Sequence, residues 1–326
     1  MTVPDCRRIV GYLLPWVLLL AAAALVGSQT NRPAAVLNMW RPWGEIGALA
    51  AVMTAIVLTG GIDLSVGSII ALSSVTFGLL WQHGWSSELA GIAAVATGFA
   101  AGSINGLLIT LGIAPLVATL ATMSFYAGLA MTLSHGQRTA GLPESFNNLG
   151  QGSVLGAPNQ LVLFLAVLAF AYIVVHHTRF GRYLYAIGEN RLAAEFAAVP
   201  LRKVEWSLYA ASGTIAGLVA LVYTARGGAA VPGAGAGIEL QTIACVVVGG
   251  TRVTGGFGGL GRTLLGVAIM SLLDIGLQFV SRKIYLPWSD VPWQLNANAR
   301  LILVGMLVIG VAIWNERSAS ARNLEV

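Results

Sequence analysis

The sequence predicts an all-α, polytopic membrane protein of about ten transmembrane helices, some of them short or broken. Three observations lead there. The 326-residue chain is 56% hydrophobic and only 10% charged, whereas a soluble domain carries roughly 25% charged residues. Apolar stretches of membrane-crossing length recur along it, with the charges gathered between them; a spanning helix needs roughly 17–25 such residues. Glycine is abundant, at 40 residues, and small residues let helix backbones approach closely where lipid supplies no hydrophobic force between helices.

The spans fall at about 9–26, 44–61, 66–81, 89–110, 113–134, 160–175, 206–225, 238–250, 264–280 and 299–314. The first follows Arg7-Arg8 and precedes Gly27-Ser28, the outline of a signal peptide. Its apolar run is longer than the usual h-region, so it is read as an uncleaved span. The eighth is short, and only a few residues separate the second from the third. Gly91, Ala93, Ala94, Ala96 and Gly98 in the fourth read as a helix-contact face. The chain divides into a tail at 1–8, one transmembrane domain at 9–315 and a tail at 316–326.

Orientation follows from the basic loop residues. Of 18 Lys and Arg, a cytoplasmic N-terminus places eleven inside, including those of the long loop 176–205, and seven outside. Both termini are then cytoplasmic. The net charge of +5 is spread between apolar segments, not clustered with aromatics as a nucleic-acid binder requires. Cys6 and Cys245 suggest neither a disulfide framework nor a metal site.

The stretch Gly60-Gly61-Ile62-Asp63-Leu64-Ser65-Val66-Gly67-Ser68 interrupts the apolar sequence. Asp63 is the only formally charged residue between Ile46 and Ser87. A carboxylate there is costly against lipid and must face protein, water or a ligand. It either caps the helix that begins near Leu64 or contacts a solute or gate. Glycine-broken helices line pathways in transporters. A weak echo lays 57–67 over 246–256 and sets Asp63 opposite Arg252. Glu239 suits the first turn of the eighth span, and Asp274 lies deep in the ninth.

Other motifs lack their context. Gly256, Gly258 and Gly261 fit G-x-G-x-x-G, but membrane spans flank them instead of a βαβ unit. Neither lysine sits in a Walker A motif, so ATP, if used, binds another subunit. The four histidines have no metal spacing with acids or cysteines, and no nucleophile–base pair supports an intramembrane enzyme. In the loop 176–205, Leu192, Phe196 and Val199 recur at i, i+4 and i+7 as a short apolar stripe, and Pro200 ends the element. Such a helix can dock into a partner's groove or pack on its own bundle.

From about Gly44 to Trp314 the chain resembles the permease subunits of ribose/xylose-type sugar ABC importers. The resemblance rests on the 60–68 stretch, Gly102-Ser103-Ile104-Asn105-Gly106, Pro115-Leu116-Val117-Ala118-Thr119-Leu120-Ala121-Thr122-Met123, Gly181-Arg182-Tyr183 with Ala186-Ile187-Gly188, Glu239-Leu240-Gln241-Thr242-Ile243-Ala244, and Val248-Gly249-Gly250-Thr251. The family usually has Phe at Leu116, Gly at Ala121, a second Gly at Glu189, Ser near Arg252 and Asn near Asp274. These departures suggest a rhamnose-like or autoinducer-2-like branch. The resemblance implies import across the bacterial inner membrane by alternating access. It implies a second permease copy or sister permease, a cytoplasmic ABC ATPase that holds ATP and Mg, and an extracytoplasmic solute-binding protein. No cofactor is expected in this chain. Asp63, Ser65, Asn105, Glu239, Arg252 and Asp274 are the candidate pathway or gating residues. Gly188, Glu189, Leu192, Ala193, Ala194, Glu195 and Phe196 form the candidate ATPase-coupling loop. An ion-coupled carrier using Asp63 and Asp274, and an importer for branched-chain amino acids, are the alternatives.

Overall fold

The computed structural model describes residues 38–280 together with Ile302, Gly305, Met306 and Gly310. The expected first span and both tails lie outside the described residues. Of the expected tenth span only those four helical residues are described.

Eight of the expected spans appear as helices: α1 (Arg41–Leu58), α2 (Val66–Gln82), α3 (Ser87–Thr110), α4 (Pro115–Leu133), α6 (Asn159–His177), α9 (Leu201–Gly227), α10 (Ile238–Val248) and α11 (Leu260–Val280). Six are long and apolar enough to cross a membrane, while α2 and α10 are shorter. The chain is thus a multi-pass membrane protein. Between the spans lie α5 (Glu144–Gln151), a two-stranded hairpin of β1 (Ser153–Val154) and β2 (Ala157–Pro158), α7 (Arg179–Glu189) and α8 (Arg191–Phe196). In the hairpin Ser153 faces Pro158 and Val154 faces Ala157.

Local chemistry sets the boundaries. Pro42 and Pro115 open α1 and α4, where a missing N–H costs nothing. Ser86, Thr178 and Asn190 cap α3, α7 and α8 by accepting from Leu89, Gly181 and Ala193 N–H. α8 stops at Phe196, where Ala198 turns left-handed before Pro200. Val199 therefore lies outside the helix that carries Leu192 and Phe196.

α1 is buried almost throughout, whereas α4 and α6 are mostly exposed. Exposed Leu120, Phe125, Leu165 and Phe170 present an apolar surface suited to lipid. The closest seam joins α3 and α9. Gly98 lies against Gly213 and Gly217, Gly102 against Tyr209 and Gly213, and Gly106 against Trp206. A Cβ on Gly98 would come within 2.9 Å of Gly217 Cα, and one on Gly106 within 2.8 Å of Trp206 Cα, so small residues there let the backbones touch.

At the hairpin end, Arg226 on α9 makes a two-pronged ion pair with buried Glu45 on α1, at 2.8 and 2.9 Å. Arg41 donates to the carbonyls of Gly150, Gln151 and Gly152 at 2.8–2.9 Å. These bonds tie the tops of α1 and α9 to the α5–hairpin segment and satisfy polar groups that would otherwise be buried unpaired. The opposite end of the bundle carries α7 and α8.

The connection after α9 does not stay at the surface. Ala230 pairs with Thr139 by two backbone hydrogen bonds of 2.9 Å and lies against Gly78 of α2. Gly235 then reaches Gly67 and Ile70 near the start of α2. From Gly78 to Gly67 is about 16 Å along a helix axis. The segment 228–237 thus runs inward along α2. α10 starts at that depth and, with 11 residues, covers about 16 Å, half of a ~30 Å hydrocarbon core. Ala230, Pro232, Ala234 and Gly235 of this segment are buried, and irregular backbone at this depth is tolerated where it is packed against protein or lines a cavity.

Candidate functional site

Two helix breaks lie close to one another. α1 ends on Gly60, whose φ is +81°. Gly60 N–H donates to Val57 O at 2.9 Å, and Gly61 N–H to Ile56 O at 3.2 Å. α10 ends in the same way: Gly250 has φ +93°, its N–H donates to Val247 O at 2.8 Å, and Thr251 N–H donates to Val246 O at 3.2 Å. This is the glycine-terminated cap that satisfies a helix's last carbonyls. Matching the two caps corrects the expected echo by one residue. Gly60 corresponds to Gly250, so Asp63 falls opposite Val253, and Arg252 falls opposite Ile62. The sequence similarity pairs Gly-Gly with Gly-Gly; hydrogen bonding pairs the left-handed residues.

Asp63 is fully buried. Its Oδ1 accepts from Ser65 N–H at 2.9 Å and from Ser65 Oγ at 2.6 Å, and its Oδ2 accepts from Ser212 Oγ of α9 at 2.8 Å. Asn105 of α3 donates to Ser65 Oγ at 2.7 Å. Tyr126 of α4 stands 3.2 Å from Asn105 Oδ1 and 2.9 Å from Ala101 O. Tyr209 and Thr119 both donate to Ile62 O at 3.3 Å. The first break is therefore a sealed knot joining α2, α3, α4 and α9. Ser65 occupies the helix-capping position of α2; Asp63 acts one step earlier, holding Ser65 in a turn of the kind Asp side chains favour.

Asp63, Ser65 and Asn105 thus come together, and the other three candidates stand apart. Glu239, half-buried at the start of α10, accepts from Gly237 N–H at 3.2 Å, and its carboxylate lies where a side chain on Gly67 would sit. The starts of α2 and α10 therefore abut. Arg252 lies in the second break, with its Cζ 4.7 Å from the Phe257 ring centre. Arg262 covers the same ring at 4.4 Å. Asp274 is half-buried in α11.

The second break meets the first through α7. Gly256 N–H donates to Leu58 O at 3.0 Å. Gly188, near the end of α7, fits between them with no room for a side chain: a Cβ would collide with Leu58 O and Gly256 N. Glu189 packs on Gly256, and Tyr185 donates to Gly258 O at 3.1 Å. Burial pushes the Tyr185 phenol up from its ordinary value. Beyond the junction α8 exposes its apolar stripe, with Leu192 67% and Phe196 91% exposed, while Ala194 is buried. Ala193 N–H is used in the cap from Asn190, and Glu195 is exposed. Arg191 of α8 makes a two-pronged ion pair with Glu205 of α9, and this bonding raises the Arg191 guanidinium further. α9 is the helix that presents Ser212 to Asp63.

Sequence reasoning missed the inward segment 228–237, the Arg191–Glu205 pair and the Ser212, Tyr126 and Tyr209 partners. Only the first left a readable signal. Gly227, Gly228, Gly233, Gly235 and Gly237 with Pro232 precede a short apolar stretch, the pattern of an interrupted span.

Residues 42–312 match the family model described as the permease component of the branched-chain amino acid transport system. The ribose import permease protein RbsC of Bacillus subtilis (strain 168) is 35% identical over 301 residues, covering 91% of each chain. RbsC of Escherichia coli (strain K12) is 34% identical, covering 81% of this chain and 82% of its own. The autoinducer 2 import system permease protein LsrD of Salmonella typhi is 32% identical, covering 82% and 80%. No solved structure matches the chain. The chain belongs to this family of ABC-importer permease components.

Proposed function

We propose that this permease carries a sugar or sugar-like solute across the bacterial inner membrane by alternating access, with both termini in the cytoplasm. ATP and Mg2+ are held by a separate ABC ATPase subunit that docks on α7–α8. A second permease copy or sister permease completes the core, and an extracytoplasmic binding protein delivers the solute. Relatives whose names specify ribose and autoinducer 2 favour a sugar-like solute over an amino acid.

The observation that carries this reading is the three-way junction in which Gly188 of α7 touches both helix breaks. A displacement of α8 by an ATPase has two short routes inward. One passes through Gly188 to Leu58 and Gly256. The other passes through Arg191 and Glu205 to α9, and along α9 to Ser212 and Asp63. The first break, locked by side-chain hydrogen bonds, serves as a pivot. The second, held by backbone contacts and by stacking on Phe257, serves as the moving joint.

An ion-coupled carrier is not favoured, because both Asp63 oxygens are occupied by Ser65 and Ser212. Proteoliposomes containing the chain, its ATPase and its binding protein test the proposal with radiolabelled ribose, rhamnose, autoinducer 2 and leucine. Uptake of a sugar-like solute that requires ATP on the ATPase side is expected. Uptake by the chain alone, driven by a proton or sodium gradient, would overturn the ABC reading. ATP-driven uptake of leucine alone would overturn only the solute class.

A further inference from the structure

The α3–α9 seam carries a feature unrelated to the helix breaks. At the α7/α8 end, a groove of about 620 Å³ opens between α7 and the first turns of α9, walled by Phe180, Tyr183, Pro200, Val204 and Trp206. Arg202 and Lys203 line it as well. Both are exposed, and neither forms an ion pair among the described residues, where the pairs are Arg191–Glu205 and Arg226–Glu45. Two unpaired cations beside an apolar groove, at the level where a spanning helix leaves the membrane, match an anionic group attached to an apolar body.

The apolar track continues. Trp206 meets Phe99 of α3 edge to face at 6.2 Å between ring centres. Phe99 stands at the near end of a second groove, of about 720 Å³, that follows Val95, Ile92, Leu218 and Leu221 along the seam and ends at Glu88 and Leu149 on the far side of the bundle. From Trp206 to Leu218 is about 18 Å along α9, comparable with an extended acyl chain. Tryptophan and tyrosine favour the depth of lipid headgroups, and basic pockets at the cytoplasmic ends of spanning helices attract anionic headgroups. A free anion would leave the apolar track unused.

We propose that the α3–α9 seam binds one anionic phospholipid of the cytoplasmic leaflet, its phosphate between Arg202 and Lys203 and one acyl chain laid past Trp206 and Phe99. The leaflet assignment rests on the orientation proposed above; the pairing of phosphate with Arg202 and Lys203 does not.

The test is native mass spectrometry of the full-length chain, released from detergent after equilibration with phosphatidylglycerol, with phosphatidylcholine of the same chain length, or with glycerol phosphate. Wild type is expected to retain one phosphatidylglycerol in preference to phosphatidylcholine, and no glycerol phosphate. The double substitution Arg202→Gln/Lys203→Gln is expected to lower phosphatidylglycerol retention about thirtyfold, from about 1 kcal/mol per cation. The exchange Arg202→Lys/Lys203→Arg keeps it, as does Arg138→Gln outside the seam. Trp206→Ala weakens retention of both lipids. Equal retention of the two lipids overturns the proposal, as does unchanged retention in the glutamine variant or loss in the charge-preserving one. A glutamine variant that loses chain–chain association while still holding lipid would reassign the seam to a second copy of the chain.

Discussion

α1 and α10 end on the same glycine cap, yet the chain continues differently from each. After α1, residues 59–65 close on Asp63, which is fully buried and accepts three hydrogen bonds. After α10, residues 249–259 follow a path set by backbone: Gly250, Gly255, Gly256, Gly258 and Gly259 all have positive φ, against Gly60 alone in the first break. Its side-chain contacts are fewer and longer: two arginines on Phe257, Tyr185 on Gly258 O at 3.1 Å and Thr251 Oγ1 accepting from Gly259 N–H at 3.4 Å, and Val253 is 41% exposed. A knot of short buried hydrogen bonds opens reluctantly, because each group released without water costs about 1–3 kcal/mol. An exposed cation–aromatic contact is worth about 0.5–1 kcal/mol. The contrast assigns stiffness to the first break and motion to the second.

Gly188 touches both, and its substitution should have the largest effect. Gly188→Val places a side chain against two backbone segments, and overpacking of this kind costs about 3 kcal/mol or more. Thermal unfolding of the detergent-purified protein should show a large loss of stability, or no folded protein at all. A stable, transporting Gly188→Val variant would mean that the three segments separate readily.

The Asp63 knot comes next. Asp63→Ala leaves Ser65 N–H and two hydroxyls without their acceptor, at about 2–4 kcal/mol. Asp63→Asn keeps an acceptor for Ser65, and the Ser212 hydroxyl can turn to accept from the new amide, so its cost is about 1 kcal/mol. Apparent solute affinity should change little in Asp63→Asn. A large change in affinity without a loss of stability would make Asp63 a solute contact.

Arg191→Ala leaves the buried Glu205 carboxylate without its partner, at about 1–3 kcal/mol. It should lower uptake while ATP hydrolysis by the assembled transporter continues. Glu205→Gln tests the same link from the buried side. Uptake that falls only in proportion to folded protein would remove this pair from the coupling route.

The smallest effect is expected at Phe257. Phe257→Ala should lower stability by about 0.5–1 kcal/mol yet alter the transport rate, because the stacking shapes the second break without sealing it. A stability loss as large as that of Asp63→Ala would erase the distinction between the two breaks.

The helical architecture was legible in the sequence because each span carries its own hydropathy. Seven of the described spans begin within a few residues of their expected positions, and α9 starts earlier, since Leu201–Glu205 form its first turns ahead of the apolar run. The exposed Leu192–Phe196 stripe was legible for the same local reason, although Val199 lies beyond the helix end. Asp63 announced itself as an isolated charge, but its partner Ser212 is an ordinary small residue in an apolar helix, and only folding brings it near. The Arg191–Glu205 pair and the Gly188 junction depend likewise on long-range contacts. The echo slipped by one residue because repeated Gly-Gly letters carry no record of which glycine turns left-handed.

Hydrogen–deuterium exchange of the assembled transporter in nanodiscs, with and without a trapped nucleotide, compares the two breaks directly. Local opening reports the least stable hydrogen-bonded segments. The hydrogen-bonded amides of Thr251, Arg252, Gly255, Gly256 and Gly259 should exchange at least about tenfold faster than those of Gly61 and Ser65 and change on nucleotide trapping, while Gly61 and Ser65 stay protected in both states. Faster or more nucleotide-sensitive exchange at Gly61 and Ser65 than at those five amides would contradict the assignment of pivot and joint.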